Sequence, residues 1–313
     1  MLSSALFRTG QILKGRAGAY TITKQVQETV WFVKTHRAQE TVVIKSVQGH
    51  PRVENERDVL KRLQHRTPFL RPLVDEIEDL STTTIALKYL QSDLLKETVR
   101  QTLNREELKH VCRSILEALK VIHEQGLVHT DVKLDNVFVN LQEDIDRFSE
   151  VQLGDLGGCY SVTSDWATSG TLVGTPMWSS PEVLMEMPWN TAADIWSFGT
   201  LLISLIYGGD FHLFRPNVDR DHEEYILGVV MEQLRCFGPF PEKIHDIASP
   251  ETFQSIIWLS QQLPAEKRTP FDLVTEREVM KKDKDFIGKI MKLDWRDRPT
   301  AKELLEDKWW HDE

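Results

Sequence analysis

The sequence predicts an α+β fold with two lobes, a small antiparallel β-sheet lobe followed by a larger helical lobe. Residues 20–45 are rich in β-branched and aromatic side chains, which favour strands. From Glu106 to His123, apolar residues recur every three or four positions, as in an amphipathic helix. The chain has 313 residues, 41% of them apolar, which is enough to build a buried core under both lobes.

The first part of the chain supplies the strands in order. Short runs of strand-forming residues occupy positions 20–23, 29–33, 41–44 and 83–87. Between the last two runs, Pro51 opens a segment in which Glu56 and Leu60 lie at helical spacing. We therefore expect one helix packed on a small antiparallel sheet.

The change from strand to helix patterning indicates the domain organisation. We expect an N-terminal lead-in at 1–19, a sheet lobe at 20–87, a hinge at 88–92 and a helical lobe at 93–313, so that 20–313 form one domain. A cleft between two lobes is a common ligand site, and we expect the function to reside there.

Charge and cysteine content narrow the functional classes. Lys and Arg number 38 against 48 Asp and Glu, a formal net charge of -10, which disfavours nucleic-acid binding and favours basic protein partners. The 3 cysteines are scattered without disulfide or metal-ligand spacing, so we expect an intracellular protein of the cytoplasm or nucleus. The apolar stretch 195–207 is too short to span a membrane and predicts a buried helix.

The strongest chemical signal is the run His-Thr-Asp-Val-Lys-Leu-Asp-Asn at 129–136. Here the chain resembles the eukaryotic protein kinases of the Ser/Thr type, whose catalytic loop carries Asp, Lys and Asn at this spacing. The resemblance implies that Asp131 orients the substrate hydroxyl and that Lys133 neutralises charge on the transferred phosphoryl group. It also implies that Asn136 binds Mg²⁺.

Two further motifs follow in the order of that family. The Asp-Leu-Gly run at 155–157 resembles the family's metal-binding Asp-Phe-Gly, which implies that Asp155 binds Mg²⁺. Residues 174–182 resemble the end of an activation segment. Within it, Thr175 is implied to bond the Asp and Lys of the catalytic loop, a pattern of kinases that phosphorylate serine or threonine.

The resemblance also implies structural roles for three charged residues of the helical lobe. Glu182 is implied to pair with Arg298, and Asp194 to cap the backbone of the catalytic loop. Buried charges require partners, so the joint presence of Glu182 and Arg298 strengthens the resemblance.

The sheet lobe carries the implied contacts to ATP. The Val-Val-Ile-Lys run at 42–45 resembles the strand whose Lys holds the α- and β-phosphates, which assigns that role to Lys45. Glu56 is the expected partner of Lys45 because it shares the apolar register of its helix, and Glu54 is a second candidate.

The remaining ATP contacts are inferred from position alone. Val30 would follow the glycine-rich loop, and Leu87 would lie behind the nucleotide pocket. Leu90 would face the adenine from the hinge, and Asp93 would lie near the ribose.

The glycine-rich loop departs from the family pattern. With Val30 as the residue that follows the loop, the three glycine positions fall on Thr23, Gln25 and Glu28. None of these lets the backbone approach phosphate as glycine does. A carboxylate at Glu28 would oppose the nucleotide's charge by about 1 to 4 kcal/mol at a separation of about 4 Å unless it turned into solvent.

A second departure lies inside the catalytic loop. Thr130 stands where most kinases have the Arg that receives an activation-segment phosphate, which implies activity without that phosphate. The same His-Thr-Asp run, followed by Asp-Leu-Gly, also gives a limited likeness to the SR-protein kinase branch.

These features predict an ATP- and Mg²⁺-dependent Ser/Thr protein kinase, with a basic protein as the favoured substrate and neither nucleic acid nor membrane as a partner. The sequence leaves the oligomeric state open. The alternative is a pseudokinase or scaffold with weak or no ATP binding, which the degenerate loop favours. A small-molecule kinase of related shape is disfavoured by the peptide-substrate pattern of 174–182.

Overall fold

The computed structural model describes residues 6–78 and 80–311. It has a sheet lobe and a larger helical lobe, which confirms the predicted α+β class. The strands of the sheet lobe are β1 (Ile12–Lys14), β2 (Ala19–Gln27), β3 (Val30–Thr35), β4 (Thr41–Ser46), β5 (Leu73–Glu76) and β6 (Thr84–Lys88). All neighbours pair antiparallel, in the order β1-β2-β3-β4-β6-β5.

The sheet begins earlier in the chain than we expected, because β1 lies within the segment 1–19 that we predicted to be a lead-in. β1 and β2 are joined by a tight turn in which the Gly15 N–H donates to the Gly18 carbonyl at 2.7 Å. A Cβ at Gly15 would lie 2.2 Å from the Asp75 carboxylate, so the close approach of this turn to β5 requires glycine. A three-residue strand with one buried side chain offers too little alternation to be predicted.

Helix α1 (Arg52–Leu63) packs against the sheet as predicted, with Glu56, Leu60 and Leu63 on its buried face. Leu60 and Leu63 belong to a core that continues into the helical lobe. A separate cluster, including Trp31 and Val33, lies under β1 to β4. The sheet lobe is therefore stabilised from both faces.

The helical lobe also contains short strands beside its helices. The strands are β7 (Ser92–Asp93), β8 (Leu127–Val128), β9 (Val137–Leu141), β10 (Phe148–Leu153) and β11 (Tyr160–Ser161). The helices are α2 (Leu94–Arg100), α3 (Arg105–His123), α4 (Asp165–Thr168), α5 (Pro181–Leu184), α6 (Ala192–Tyr207), α7 (Tyr225–Phe237), α8 (Pro250–Gln262), α9 (Lys281–Ile290) and α10 (Ala301–Leu305).

Two of these helices form the centre of the helical lobe. α3 begins with a capping box, in which Asn104 and Glu107 each bond the other's backbone N–H, and one face of α3 is buried. α6 is buried along most of its length, which confirms the buried helix predicted for 195–207. In the parts of the chain that the structure covers, no helix is both long and apolar enough to cross a bilayer.

Candidate active site

An ion-pair cluster connects the two lobes at the cleft. Lys45 on β4 donates to Glu56 on α1 at 2.6 Å and to Asp155, beyond β10, at 2.6 Å. The structure pairs Lys45 with Glu56 rather than with Glu54, which contacts Arg57 instead. Burial alone would lower the pKa of Lys45, but the carboxylates of Glu56 and Asp155 outweigh it and raise that pKa above its usual value.

The catalytic loop, residues 129–136, brings its functional groups together around one carboxylate. Asp131 Oδ1 accepts from the Thr175 hydroxyl at 2.7 Å, and Lys133 Nζ donates to the same hydroxyl at 3.0 Å. Asn136 Nδ2 donates to Asp131 Oδ2 at 3.1 Å and to the Asp131 carbonyl at 2.8 Å. Lys133 Nζ also lies 3.1 Å from Asp131 Oδ2. The carboxylate is thus held in one orientation by three neighbours.

The backbone of this loop is held by hydrogen bonds to a carboxylate on α6. The two oxygens of Asp194, which is fully buried, accept from the N–H groups of His129 at 2.8 Å and Thr130 at 2.9 Å. Thr130 has a φ of 71°, an uncommon value for a residue with a side chain. Its hydroxyl donates to the Gly158 carbonyl at 2.8 Å. Asp194 therefore occupies the capping position that the resemblance implied.

Glu182 and Arg298 form a bidentate ion pair in the core of the helical lobe. Both hydrogen bonds measure 2.7 Å, and both side chains are buried. Arg298 also donates to the backbone carbonyls of Ala192 and Lys292 at 2.9 and 2.7 Å. The pair ties the end of the activation segment to the start of α6.

The activation segment is held by contacts that need no phosphate. The rings of Tyr160 and Trp166 stack with centroids 5.0 Å apart. Trp189 Nε1 donates to the Thr171 carbonyl at 3.0 Å. Ser164 caps α4 by accepting from Ala167 N–H. These contacts are consistent with the expectation drawn from the missing Arg in the catalytic loop.

The four residues that we placed around the nucleotide from their positions in the sequence lie in different local environments. Val30 is half-buried and lies opposite Lys45 in the β3–β4 register. Leu87 and Leu90 are buried at the end of β6 and just beyond it. The Asp93 carboxylate accepts from Lys96 N–H at the start of α2 and pairs with Lys96 Nζ at 2.6 Å. A ribose contact by Asp93 stays a prediction, because its carboxylate is engaged with α2.

The predicted glycine-rich loop is the end of β2 together with the two-residue turn 28–29 that joins it to β3, and we call this part the β2–β3 hairpin. Thr23, Gln25 and Glu28 are all exposed. Gln25 Nε2 donates to the Glu28 carbonyl at 3.3 Å, which braces the turn. The exposed position of Glu28 gives its carboxylate access to solvent, which reduces the electrostatic cost that the sequence suggested.

Two arginines at the cleft were missed by motif reasoning. Arg52, one helical turn before Glu56 on α1, pairs with Asp155 Oδ2 at 2.9 Å. A Cβ at Gly157 would lie 2.3 Å from Arg52 Cγ, so glycine there allows the first turn of α1 to approach. Helical spacing from Glu56 could have predicted the position of Arg52. Arg71 lies just before β5. It is the one charged residue in the apolar run 68–74, and this pattern could have indicated a buried arginine.

The charge state of Asp155 follows from its two cationic partners. Burial raises the pKa of this carboxyl group, but Lys45 and Arg52 outweigh burial and hold the pKa well below its usual range. Asp155 itself has a left-handed backbone, with φ of 59°. The carboxylate is therefore ionised and presented to the cleft at neutral pH.

The residues present fit a Mg²⁺ ion bound together with a nucleotide. Mg²⁺ prefers oxygen ligands and is commonly bound by one or two carboxylates together with phosphate oxygens and water. Asp155 offers a carboxylate, and Asn136 offers an amide oxygen while its Nδ2 is engaged with Asp131. The backbones of the two ligand segments are joined, since Gly154 N–H donates to the Asn136 carbonyl at 2.9 Å. Within the described residues, no group of three or more His, Cys, Asp and Glu is arranged to hold a metal alone.

Comparison with known proteins agrees with this arrangement. The family model described as "Protein kinase domain" matches residues 14–310. The chain therefore belongs to the protein kinase family.

Among curated proteins, the chain is similar to Ser/Thr kinases of the PAK group. It is 34% identical to serine/threonine-protein kinase PAK 5 of Rattus norvegicus over 125 residues, 40% of this chain and 17% of that protein. It is 32% identical to serine/threonine-protein kinase shk1/pak1 of Schizosaccharomyces pombe over 157 residues, 50% of this chain and 23% of that protein. The matched regions span about a fifth of the length of these relatives.

Among solved structures, the chain resembles one from the yeast RNA Pol II CTD kinase CTDK-1 complex. The TM-score is 0.75 over 94% of this chain and 93% of that chain, at 19% identity. This likeness supports the two-lobed fold.

Proposed function

We propose that this protein is a Ser/Thr protein kinase that transfers the γ-phosphoryl group of ATP, with Mg²⁺, to hydroxyl groups of protein substrates. The observation that carries the proposal is the network of Asp131, Lys133 and Thr175, which holds a carboxylate and an ammonium group together at the cleft. The names of the PAK relatives support the Ser/Thr class.

In this proposal the helical lobe performs the transfer. Asp131 is 7% exposed and fixed by its neighbours, so its carboxylate can accept and orient the proton of an incoming hydroxyl group. Lys133 places a positive charge beside that carboxylate, where negative charge develops during phosphoryl transfer. Catalysis of this kind depends on positioning and charge, and it requires no covalent enzyme intermediate.

The sheet lobe and the segment after β10 would hold the nucleotide. Lys45 would bind the α- and β-phosphates, with Glu56 fixing its direction. Asp155 and Asn136 would bind Mg²⁺, which neutralises phosphate charge when present. Val30, Leu87, Leu90 and Asp93 remain the proposed contacts to the rest of ATP.

The substrate class follows from charge. The net charge of -10 attracts basic segments of protein substrates by long-range electrostatics. The contacts of the activation segment support activity without prior phosphorylation, since Thr130 offers no cation for a phosphate.

The proposal is tested by radiolabelled transfer from Mg-ATP to a basic protein, combined with a thermal-shift titration of Mg-ATP. Wild-type protein is expected to show both binding and transfer. Asp131→Ala should lower the transfer rate by about 10² to 10⁴-fold, because the group that orients the hydroxyl is lost. Its nucleotide affinity should stay within about two-fold of wild type, because Asp131 contacts the acceptor side.

The matched control is Glu143→Ala, which removes an exposed carboxylate from the segment between β9 and β10, outside the catalytic loop. It should keep most of the transfer activity. A folded wild-type sample that binds neither Mg-ATP nor any other Mg-bound purine nucleoside triphosphate, and transfers no phosphate, would establish the scaffold alternative. Equal rates for Asp131→Ala and wild type would remove Asp131 from its proposed role.

A further inference from the structure

A buried arginine lies at the end of the cleft where the hinge begins. Arg71 is 8% exposed, and its Nε donates to the backbone carbonyl of Lys88 at 2.8 Å. Its guanidinium group lies over the ring of Phe138, 4.2 Å from the centroid. We call Arg71, Lys88 and Phe138 the base end of the cleft, because the proposed function places the nucleotide base against the hinge.

The sequence explains why this carbonyl has a side-chain donor. The Lys88 N–H donates to the carbonyl of Pro72 at 3.0 Å, as in a ladder between antiparallel strands. Pro72 has no N–H to donate in return, so the Lys88 carbonyl would lack its usual backbone partner. Arg71 Nε takes that place.

The position of Arg71 is fixed by its surroundings. Its own N–H donates to the Leu153 carbonyl at 2.9 Å, which anchors the backbone to β10. A Cβ at Gly154 would lie 2.8 Å from Phe138 Cε2 and 3.3 Å from Arg71 Cδ, so glycine makes room for the stacked pair. Burial lowers the pKa of Arg71 to about 10, against the opposing effect of Glu56 and Asp155, so it stays charged at neutral pH.

At the base end, the groups that remain to bind a ligand are therefore mainly hydrogen-bond donors. The hinge carbonyl is engaged, and among the described residues the two Nη groups of Arg71 have no hydrogen-bond partner. An adenine presents an amino group on the edge at which guanine presents a carbonyl oxygen. An amino group gains nothing from further donors, whereas a carbonyl oxygen can accept from them.

We propose that Arg71 is a specificity-determining residue that weakens adenine binding and makes the cleft accept GTP at least as well as ATP. The inference rests on the proposed function, because it requires a purine nucleotide against the hinge. Adenine has to compete with Arg71 for the Lys88 carbonyl, whereas guanine can use the Nη donors directly. Leaving a buried polar group without a partner changes affinity by roughly 10-fold.

The test measures dissociation constants of non-hydrolysable ATP and GTP analogues with Mg²⁺ by calorimetry. Wild-type protein is expected to bind the GTP analogue as tightly as the ATP analogue or more tightly. Arg71→Met should tighten the ATP analogue roughly 10-fold by releasing the Lys88 carbonyl, and it should leave the GTP analogue unimproved. Met has similar length to Arg and packs well on aromatic rings, so the contact with Phe138 can be kept. Loss of the donor to the Lys88 carbonyl lowers stability, and the comparison of the two analogues on wild-type protein does not depend on this variant.

Arg66→Met is the matched control, because it removes an exposed arginine from the same segment without touching the cleft. It should change neither constant. Equal affinity gains for both analogues in Arg71→Met, or no gain for either, would overturn the assignment. So would a wild-type preference of 10-fold or more for the ATP analogue, a comparison that requires no substitution.

The two proposals fail in different ways. If Arg71→Met leaves both affinities unchanged while wild type transfers phosphate, the role of Arg71 fails and the kinase function stands. If Arg71→Met tightens only the ATP analogue while neither protein transfers phosphate, the role of Arg71 stands and the kinase function fails.

Discussion

The catalytic loop and the nucleotide side of the cleft differ in how closely they follow the family pattern. In the catalytic loop, Asp131 and Lys133 are hydrogen-bonded to the Thr175 hydroxyl, and Asn136 donates to Asp131. On the nucleotide side, the β2–β3 hairpin lacks all three glycines and is exposed. On that side, arginines form hydrogen bonds with groups that a nucleotide or its metal ion would bind. Arg52, for example, is paired with Asp155.

The difference follows from how tightly each region is coupled to the rest of the fold. Asp194 and the Glu182–Arg298 pair fix the catalytic loop and its neighbours from a buried core, so a change there would affect folding and chemistry together. The hairpin has few such neighbours, and its residues can change without disturbing the core. Affinity for the nucleotide is therefore the more adjustable property of this protein.

The largest expected effect lies in the buried support of the helical lobe. Glu182→Gln should lower the free energy of unfolding by about 3 to 5 kcal/mol, because it leaves the buried guanidinium of Arg298 without a counter-charge. Chemical denaturation measures this change. The control is Asp58→Asn, which breaks an exposed ion pair of the same length, 2.7 Å, and should cost less than about 1 kcal/mol. Similar losses in both variants would contradict the tight coupling of the helical lobe.

The next effect concerns Thr175, which contacts the catalytic loop from the activation segment. Thr175→Val keeps the shape of the side chain but removes the hydroxyl between Asp131 and Lys133. We expect the kcat for phosphoryl transfer to fall by about 10 to 100-fold, since the lost bonds involve charged groups. The KM for nucleotide should change little, and Thr175→Ser should restore most of the rate. A raised KM at unchanged kcat would move Thr175 out of the catalytic network.

A smaller effect is expected where α1 meets the metal ligand. Arg52→Gln removes a cation from Asp155, so Mg²⁺ should bind several-fold more tightly, about 3 to 10-fold, in the presence of a non-hydrolysable nucleotide. The Arg52 side chain is 40% exposed, and solvent screening limits the gain. Thermal-shift titration with Mg²⁺ measures it. Arg57→Gln, on the same helix but paired with Asp58, is the control. Weaker Mg²⁺ binding by Arg52→Gln would indicate that Arg52 positions Asp155 for the metal.

The smallest effect is expected at the hairpin. Glu28→Gly should tighten ATP by less than about three-fold, because the exposed carboxylate is already screened by solvent. Glu28→Gln separates the removal of charge from the gain in backbone freedom. Calorimetry with a non-hydrolysable ATP analogue checks both variants. A gain of 10-fold or more would show that the hairpin closes on the phosphates and limits affinity after all.

Much of the fold could be predicted because periodicity and motif spacing are local properties. Strand-forming runs gave most of the sheet, and the helical spacing of Glu56 and Leu60 gave α1. β1 and β5 were missed because three and four residues are too few to show a clear pattern. The competition between Glu54 and Glu56 was decided by which side chain faces β4, a matter of packing.

The sequence by itself determined the family resemblance and the order of its chemical groups, since the spacing within a loop or strand sets which side chains one short segment can present. Only the tertiary structure decided what those groups contact. Arg52 reaches Asp155 and Arg71 reaches the Lys88 carbonyl across 103 and 17 residues of chain. Such contacts are set by the packing of α1 and β5 against the hinge and the end of β10, where a buried carboxylate or backbone carbonyl without a donor would be costly.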